Sequence, residues 1–246
     1  MYEKMKTLVI IPSRLNATRL PQKPLVPIAG TPLVERVIQL TSSFQGDIAV
    51  AVCGDWANDI LAKYNVEIVI TNPETPSGTD RVYEAYKNLG KEYDYIVNLQ
   101  GDMAYFPSDL VEQTLSVFKH LDVDVATAIT PQNTDLENEA IVKAVFEPSA
   151  ENPLYGVTPY FSRSVVPARA KQHYKHIGIY AYKTKALEKF VTTKPSALEQ
   201  TESLEQLRCY TCGLSIGAVI VQGDFFSVDT PEDVQAVEQF LTKNNL

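Results

Sequence analysis

Cysteine is scarce in this chain of 246 residues: Cys53, Cys209 and Cys212 are the only three. Three thiols cannot build a disulfide framework and suit a reducing cytoplasm. Cys209 and Cys212 form a single CxxC, which lacks a second ligand pair at zinc spacing; His173 and His176 are the nearest histidines. Placed late in a helical pattern rather than at its start, the pair does not match a redox motif, and chance spacing explains it. Long apolar runs are also missing. No segment approaches the ~20 residues of a membrane span, and the opening MYEKMKTLVII has no small-residue cleavage site, so no signal peptide is expected. Positive charge is in deficit, with 22 Lys and Arg against 30 Asp and Glu, a net charge of −8. That balance excludes a nucleic-acid-coating surface, which needs a basic face. Repeats, low-complexity tracts and flexible linkers are absent, and the length suits a single domain, 1–246.

Against this acidic background one stretch stands out, LVIIPSRLNATRLPQKPL from Leu8 to Leu25. Leu8, Val9, Ile10 and Ile11 form an unbroken apolar run, the pattern of a strand buried on both faces. It stops at Pro12 and continues into a loop carrying Arg14, Arg19 and Lys23 with no acid among them. A basic loop at the carboxyl end of a first strand is where open α/β sheets receive anionic ligands. Pro21 and Pro24 stiffen the loop. Arg supplies bidentate forks and Lys a point charge, so the stretch reads as a triphosphate clamp, with the Thr18 hydroxyl a further phosphate contact. No GxxxxGK[ST] is present, so it is not a Walker-type loop.

Downstream, strand and helix patterns alternate. Thr31 is expected to cap a helix with Pro32 in its first turn, running to about Ser43. Strands are expected at 48–53, 66–71 and 94–99, with helices at 55–64, 80–89 and 108–120 between and after them. The alternation predicts an α/β fold with a mostly parallel sheet covered on both faces. Strands at 124–130 and 142–147 continue it. Four prolines between Pro148 and Pro167 mark an excursion off the main sheet at about 148–175. A strand at 176–182, helices at 185–192 and 198–210, a strand at 215–222 and a closing helix at 231–241 complete the reading.

Chemistry-bearing residues fall at strand ends. Asp102, in Gln100-Gly101-Asp102, suits a turn and a Mg²⁺ ligand equally, since Mg²⁺ takes one or two carboxylates plus substrate phosphates. In Val228-Asp229-Thr230-Pro231-Glu232-Asp233, Thr230 serves as helix cap, Pro231 as first helical residue and Asp233 as the third-position acid. Asp229 is left free to be a second metal ligand, although Asp224, in another Gln-Gly-Asp, competes for the role. Arg163, among apolar neighbours, suggests an anion contact such as a carboxylate. No residue stands out as a general base, and no Ser–His–Asp or Cys–His arrangement is evident.

Taken together, IIPSRLNATRLPQKPL, PSGTDR, VNLQGD, YFSRS, HIGIYAY, LEQLR and VDTPED occur in an order that resembles the 3-deoxy-manno-octulosonate cytidylyltransferases, the CMP-Kdo synthetases, nearly end to end. The resemblance implies a Rossmann-like nucleotidyltransferase domain with a small dimerisation excursion, hence a cytoplasmic homodimer. It implies transfer of CMP from CTP to the anomeric hydroxyl of Kdo, with Mg²⁺ as cofactor, for lipopolysaccharide biosynthesis. It places Arg14, Arg19 and Lys23 on the triphosphate and Ser77, Gly78, Arg81 and Gln100 on the nucleotide. Asp102 and Asp229, rather than Asp224, would hold the metal, and Arg14, Lys23, Asp102 and Asp229 would form the catalytic set. Gln100, Arg163, His176, Tyr180, Glu205 and Gln206 would surround the sugar. One departure stands beside the metal position. The family usually reads QGDEP, whereas Met103-Ala104-Tyr105 follows Asp102 here. The alternatives it raises are a variant acceptor such as 8-amino-Kdo, or a nucleotide-binding homologue without turnover.

Overall fold

The computed structural model describes residues 5–15 and 19–246, so Thr18 lies outside the described residues. Contacts divide the chain into two compact units, Met1–Asp109 with Gly223–Leu246, and Leu110–Gln222.

The first unit begins with β1 (Thr7–Pro12), β2 (Pro27–Ile28), β3 (Thr31–Pro32), α1 (Leu33–Leu40), β4 (Asp47–Val52), α2 (Asn58–Leu61), β5 (Glu67–Ile70), α3 (Gly78–Leu89), β6 (Tyr95–Leu99) and β7 (Met103–Tyr105). Four strands pair in parallel in the order β5-β4-β1-β6. Leu8 to Ile11 are completely buried in β1, as the unbroken apolar run predicts. The chain winds from β1 outward through β4 to β5 and then returns to the other side of β1 as β6. The carboxyl ends of β1 and β6 therefore flank a topological switch point, where doubly wound sheets bind ligands.

Two expectations in this unit are corrected. Thr31 and Pro32 do not start a helix; they form β3, paired with β2, and α1 begins at Leu33 with Pro32 as an N-cap that makes no side-chain hydrogen bond. The cause is a turn at Ala29 and Gly30, both with positive φ, which folds the segment back on itself and commits its backbone to a ladder. The expected helix at 55–64 contracts to Asn58–Leu61.

The second unit contains α4 (Leu110–His120), β8 (Val125–Gln132), β9 (Lys143–Pro148), β10 (Tyr155–Ser162), β11 (His173–Lys183), α5 (Thr184–Thr192), α6 (Ala197–Glu202), α7 (Arg208–Thr211) and β12 (Ile216–Ile220). Its strands follow the order β11-β8-β12-β10-β9, with β9 also touching β11, and among the described residues only β8 and β12 run parallel. The mostly parallel sheet expected from the sequence is corrected here to a largely antiparallel one, because strand patterns do not encode strand direction. The proline-rich stretch at 148–175 is not wholly an excursion, because β10 lies inside the sheet. Pro159 fits there at the register shift between Val157 and Tyr160, where a missing N–H is tolerated. The helix expected at 198–210 breaks at Ser203, which adopts φ 52°, and resumes through a 3-10 turn at Glu205–Leu207 into α7.

The chain then returns to the first unit with β13 (Phe226–Ser227), antiparallel to β7, and α8 (Pro231–Asn244). α8 has the expected capping box of Thr230 and Asp233 with Pro231 in its first turn.

Candidate active site

A cavity of about 330 Å³ opens in the first unit at the carboxyl ends of β1 and β6. The loop after β1 contributes Ser13, Arg14, Arg19 and Lys23, the start of α3 contributes Ser77, Gly78 and Arg81, and the end of β6 contributes Gln100, Gly101 and Asp102; Asp229 closes the ring. Every nucleotide-side residue named from the sequence and described in the structure lines this one space. Gly101 allows the close approach of the two strand ends: a Cβ there would collide with the Pro12 carbonyl oxygen.

Asp102, just before β7, and Asp229, just after β13, are held at the same end of the antiparallel β7–β13 ribbon, with the Val228 N–H donating to the Asp102 carbonyl at 2.9 Å. Between them sits the Lys23 ammonium, 3.1 Å from Asp102 Oδ2 and 3.0 Å from Asp229 Oδ1. Arg19 Nη2 lies 3.1 Å from Asp229 Oδ2. Burial pushes the Asp102 carboxyl above its usual pKa; Lys23 opposes the shift and Asp229 adds to it. Asp233 accepts from the N–H groups of Asp229 and Thr230 at 2.9 and 2.8 Å, so the helix start makes no demand on the Asp229 carboxylate. Asp224 is exposed in the preceding turn. The donor set fits Mg²⁺: two hard carboxylates already converge on one cation. Among the described residues no group of three His, Cys, Asp or Glu surrounds one point. A metal here would complete its shell with phosphate and water oxygens.

The far end of the cavity is shaped by α3. The Ser77 hydroxyl caps that helix, accepting from the Asp80 N–H at 3.1 Å and donating to Asp80 Oδ2 at 2.7 Å. What Ser77 and Gly78 offer a ligand is therefore backbone at a helix N-terminus. Arg81 is 2% exposed, and its Nη1 donates to Cys53 Sγ (2.8 Å), Asn72 O (3.2 Å) and Thr71 Oγ1. Its Nη2 and the buried Ser13 hydroxyl have no hydrogen-bond partner among the described residues. Two orphaned polar groups on one cavity wall point to a polar ligand. Ser13 was missed from the sequence, although its position directly after β1 was the available signal. Gln100 is braced by Asn98, to whose Oδ1 it donates at 3.0 Å.

The remaining sugar-side candidates belong to the second unit. His176 Nε2 is 3.0 Å from Thr127 Oγ1, and its ring lies 5.0 Å from that of Phe161 and 5.2 Å from that of Tyr180. Burial pushes the imidazole pKa down to about 3, which keeps it neutral. Burial, with a contribution from the Glu205 carboxylate, holds the Tyr180 hydroxyl well above its usual pKa. Arg163 donates to three carbonyls, those of Glu202 (2.9 Å), Glu139 (2.8 Å) and Ser203 (3.2 Å). Glu205 and the buried Gln206 follow the Ser203 break, which is spanned by the fork from Arg208 to Glu199 at 2.9 and 2.6 Å. Cys209 is buried and its thiol pKa is raised by that burial, while the Cys212 thiol donates to the Cys209 carbonyl at 3.3 Å. A buried thiol of raised pKa is inert rather than reactive.

Met103 and Ala104 are both buried in β7, where Arg36 Nε donates to the Ala104 carbonyl at 2.8 Å. The Tyr105 ring packs 4.9 Å from that of Phe240. The departure from QGDEP thus lies in packed residues of the first unit.

A doubly wound sheet with cations on one side of its switch point and a carboxylate pair on the other has the architecture of a nucleotidyltransferase. The same fold occurs in an apo UDP-glucose pyrophosphorylase, with a TM-score of 0.70 at 13% identity over 98% of this chain and 100% of that one. A structure of CMP:2-keto-3-deoxy-manno-octonic acid synthetase complexed with CTP superposes better, with a TM-score of 0.88 at 29% identity over 97% of this chain and 99% of the other. The family described as Cytidylyltransferase matches residues 8–216. The 3-deoxy-manno-octulosonate cytidylyltransferase of Bradyrhizobium sp. (strain ORS 278) is 38% identical over 245 residues, 98% of this chain and 99% of that protein. The chain belongs to the 3-deoxy-manno-octulosonate cytidylyltransferase family.

Proposed function

We propose that this enzyme transfers CMP from CTP to the anomeric hydroxyl of Kdo, releasing pyrophosphate. The observation that carries the reading is the convergence of Arg14, Arg19 and Lys23 with Asp102 and Asp229 on one cavity, in a chain whose full-length relatives bear that activity in their names. Arg14, Arg19 and Lys23 bind the triphosphate and neutralise the charge that builds on the departing pyrophosphate, where preorganised cations stabilise an in-line transition state. Arg81 and Ser13 supply free hydrogen-bonding groups to the nucleotide, and the backbone of Ser77 and Gly78 lines its seat. Asp102 and Asp229 would hold Mg²⁺, which when bound supplies charge neutralisation and orientation of phosphate oxygens. Gln100, His176, Tyr180, Glu205 and Gln206 orient the sugar, His176 as a neutral imidazole, with Arg163 beside the sugar carboxylate. The enzyme works in the cytoplasm, as its free thiols suggest, and as a homodimer joined through the part of the 148–175 stretch that lies outside β10.

Pyrophosphate release from CTP and Mg²⁺ with a panel of ulosonates tests the reaction. Release is expected with Kdo, loss of at least about 100-fold in Asp102→Asn and Asp229→Asn, and near-normal turnover in Asp224→Asn. Release with no acceptor in the panel overturns the reading. Sedimentation of the intact protein at twice the chain mass supports the dimer, and a monomer removes it.

A further inference from the structure

The Lys23 ammonium occupies the position between the two carboxylates, and Arg19 covers the outer oxygen of one of them. Lys23 is 19% exposed and touches both Asp102 and Asp229 at 3.0–3.1 Å. Adjacent carboxylates repel each other, most strongly where one is buried, and a cation between them relieves that repulsion. A Mg²⁺ ion held by the same oxygens would compete with that ammonium for them. The two cations cannot share the position.

We infer that Lys23 is the resident counter-cation of the Asp102–Asp229 pair and is exchanged for the divalent ion, so that arrival of the metal frees Lys23 and Arg19 for the triphosphate. This rests on the reading of the cavity given above and adds the order of events within it. The chain is built for such an exchange. Lys23 begins the 3-10 turn Lys23–Leu25, whose Pro24 is buried, so the backbone is anchored while the long side chain can swing. Arg19 is 68% exposed and, among the described residues, meets Asp229 through Nη2 at 3.1 Å, so it is readily released. A metal that displaces these cations delivers two positive side chains toward the phosphates. A triphosphate that attracts them leaves the carboxylates bare for metal. Each ligand therefore raises the affinity for the other by the same factor.

Mn²⁺ binding to the full chain without nucleotide, read by the loss of free-Mn²⁺ electron paramagnetic resonance signal, tests the exchange. Lys23→Met removes the competitor and keeps the bulk of the stem; Mn²⁺ affinity is expected to rise by about tenfold, within the usual range of coupling. Addition of Asp102→Asn to that variant should abolish the gain. Equal or weaker Mn²⁺ affinity in Lys23→Met overturns the exchange alone. Absence of Mn²⁺ binding in both proteins overturns it together with the metal assignment, while pyrophosphate release separately decides the reaction. Amine acetylation of the wild-type protein, mapped by mass spectrometry, covers the case of a variant that does not fold. Lys23 should become more reactive as Mn²⁺ saturates, and unchanged reactivity overturns the proposal.

Discussion

At the scale of single residues, the site is made of side chains released from structural duty. Asp229 is available because Asp233 takes over the helix start, and Ser13 and Arg81 keep polar atoms without partners among the described residues. Ser77 shows the opposite case, its hydroxyl being consumed by the cap of α3. Arg163, legible as an anion contact, has its guanidinium on three carbonyls, contacts between distant segments that no local pattern encodes. His176 carries a pH signature. Its pKa falls from 6.5 to about 3 on folding, so between those values the unfolded chain binds the extra proton. Stability from this group is then complete above pH 6.5 and is lost as pH falls through the window. Urea midpoints measured from about pH 7 to about pH 4.5 should fall more steeply in the wild type than in His176→Gln; parallel profiles would contradict the buried neutral imidazole.

Elements bring these residues together. The closeness of β1 to β6 depends on Gly101, where any side chain meets the Pro12 carbonyl. Gly101→Ala should destabilise the protein by about 1–3 kcal/mol in urea unfolding, the usual cost of forcing an extra group into a packed contact. It should also raise the KM for CTP by shifting Asp102 against the clamp. The α8 start is legible in the sequence because a capping box is a local exchange of hydrogen bonds within four residues. The Thr31-Pro32 start was not, because pairing with β2 across the Ala29-Gly30 turn overrode the local preference. The same holds at Ser203, where the Glu199–Arg208 fork and the packing of Arg208 on the Phe190 ring at 4.5 Å accompany a break that helical periodicity conceals.

At the scale of the whole molecule, an excess of acids keeps the net charge at −8 while the clamp gathers cations for an anionic substrate. Because Arg19 is largely exposed, its attraction for phosphate is screened by salt. Raising ionic strength from about 0.05 to about 0.5 M should increase the KM for CTP several-fold with a smaller change in kcat, and a salt-independent KM would place the recognition on buried contacts instead. The sequence by itself determined the α/β class, the basic loop after β1 and the capping logic that frees Asp229, since hydrophobic period, local charge and caps act over a few residues. Only the tertiary structure decided that Lys23 stands between Asp102 and Asp229, residues 79 and 206 positions away from it. It alone put Met103 and Ala104 in the core and left the buried Ser13 hydroxyl and Arg81 Nη2 without partners among the described residues. Those outcomes depend on desolvation and on contacts between remote segments, and such contacts exist only once the chain has closed on itself.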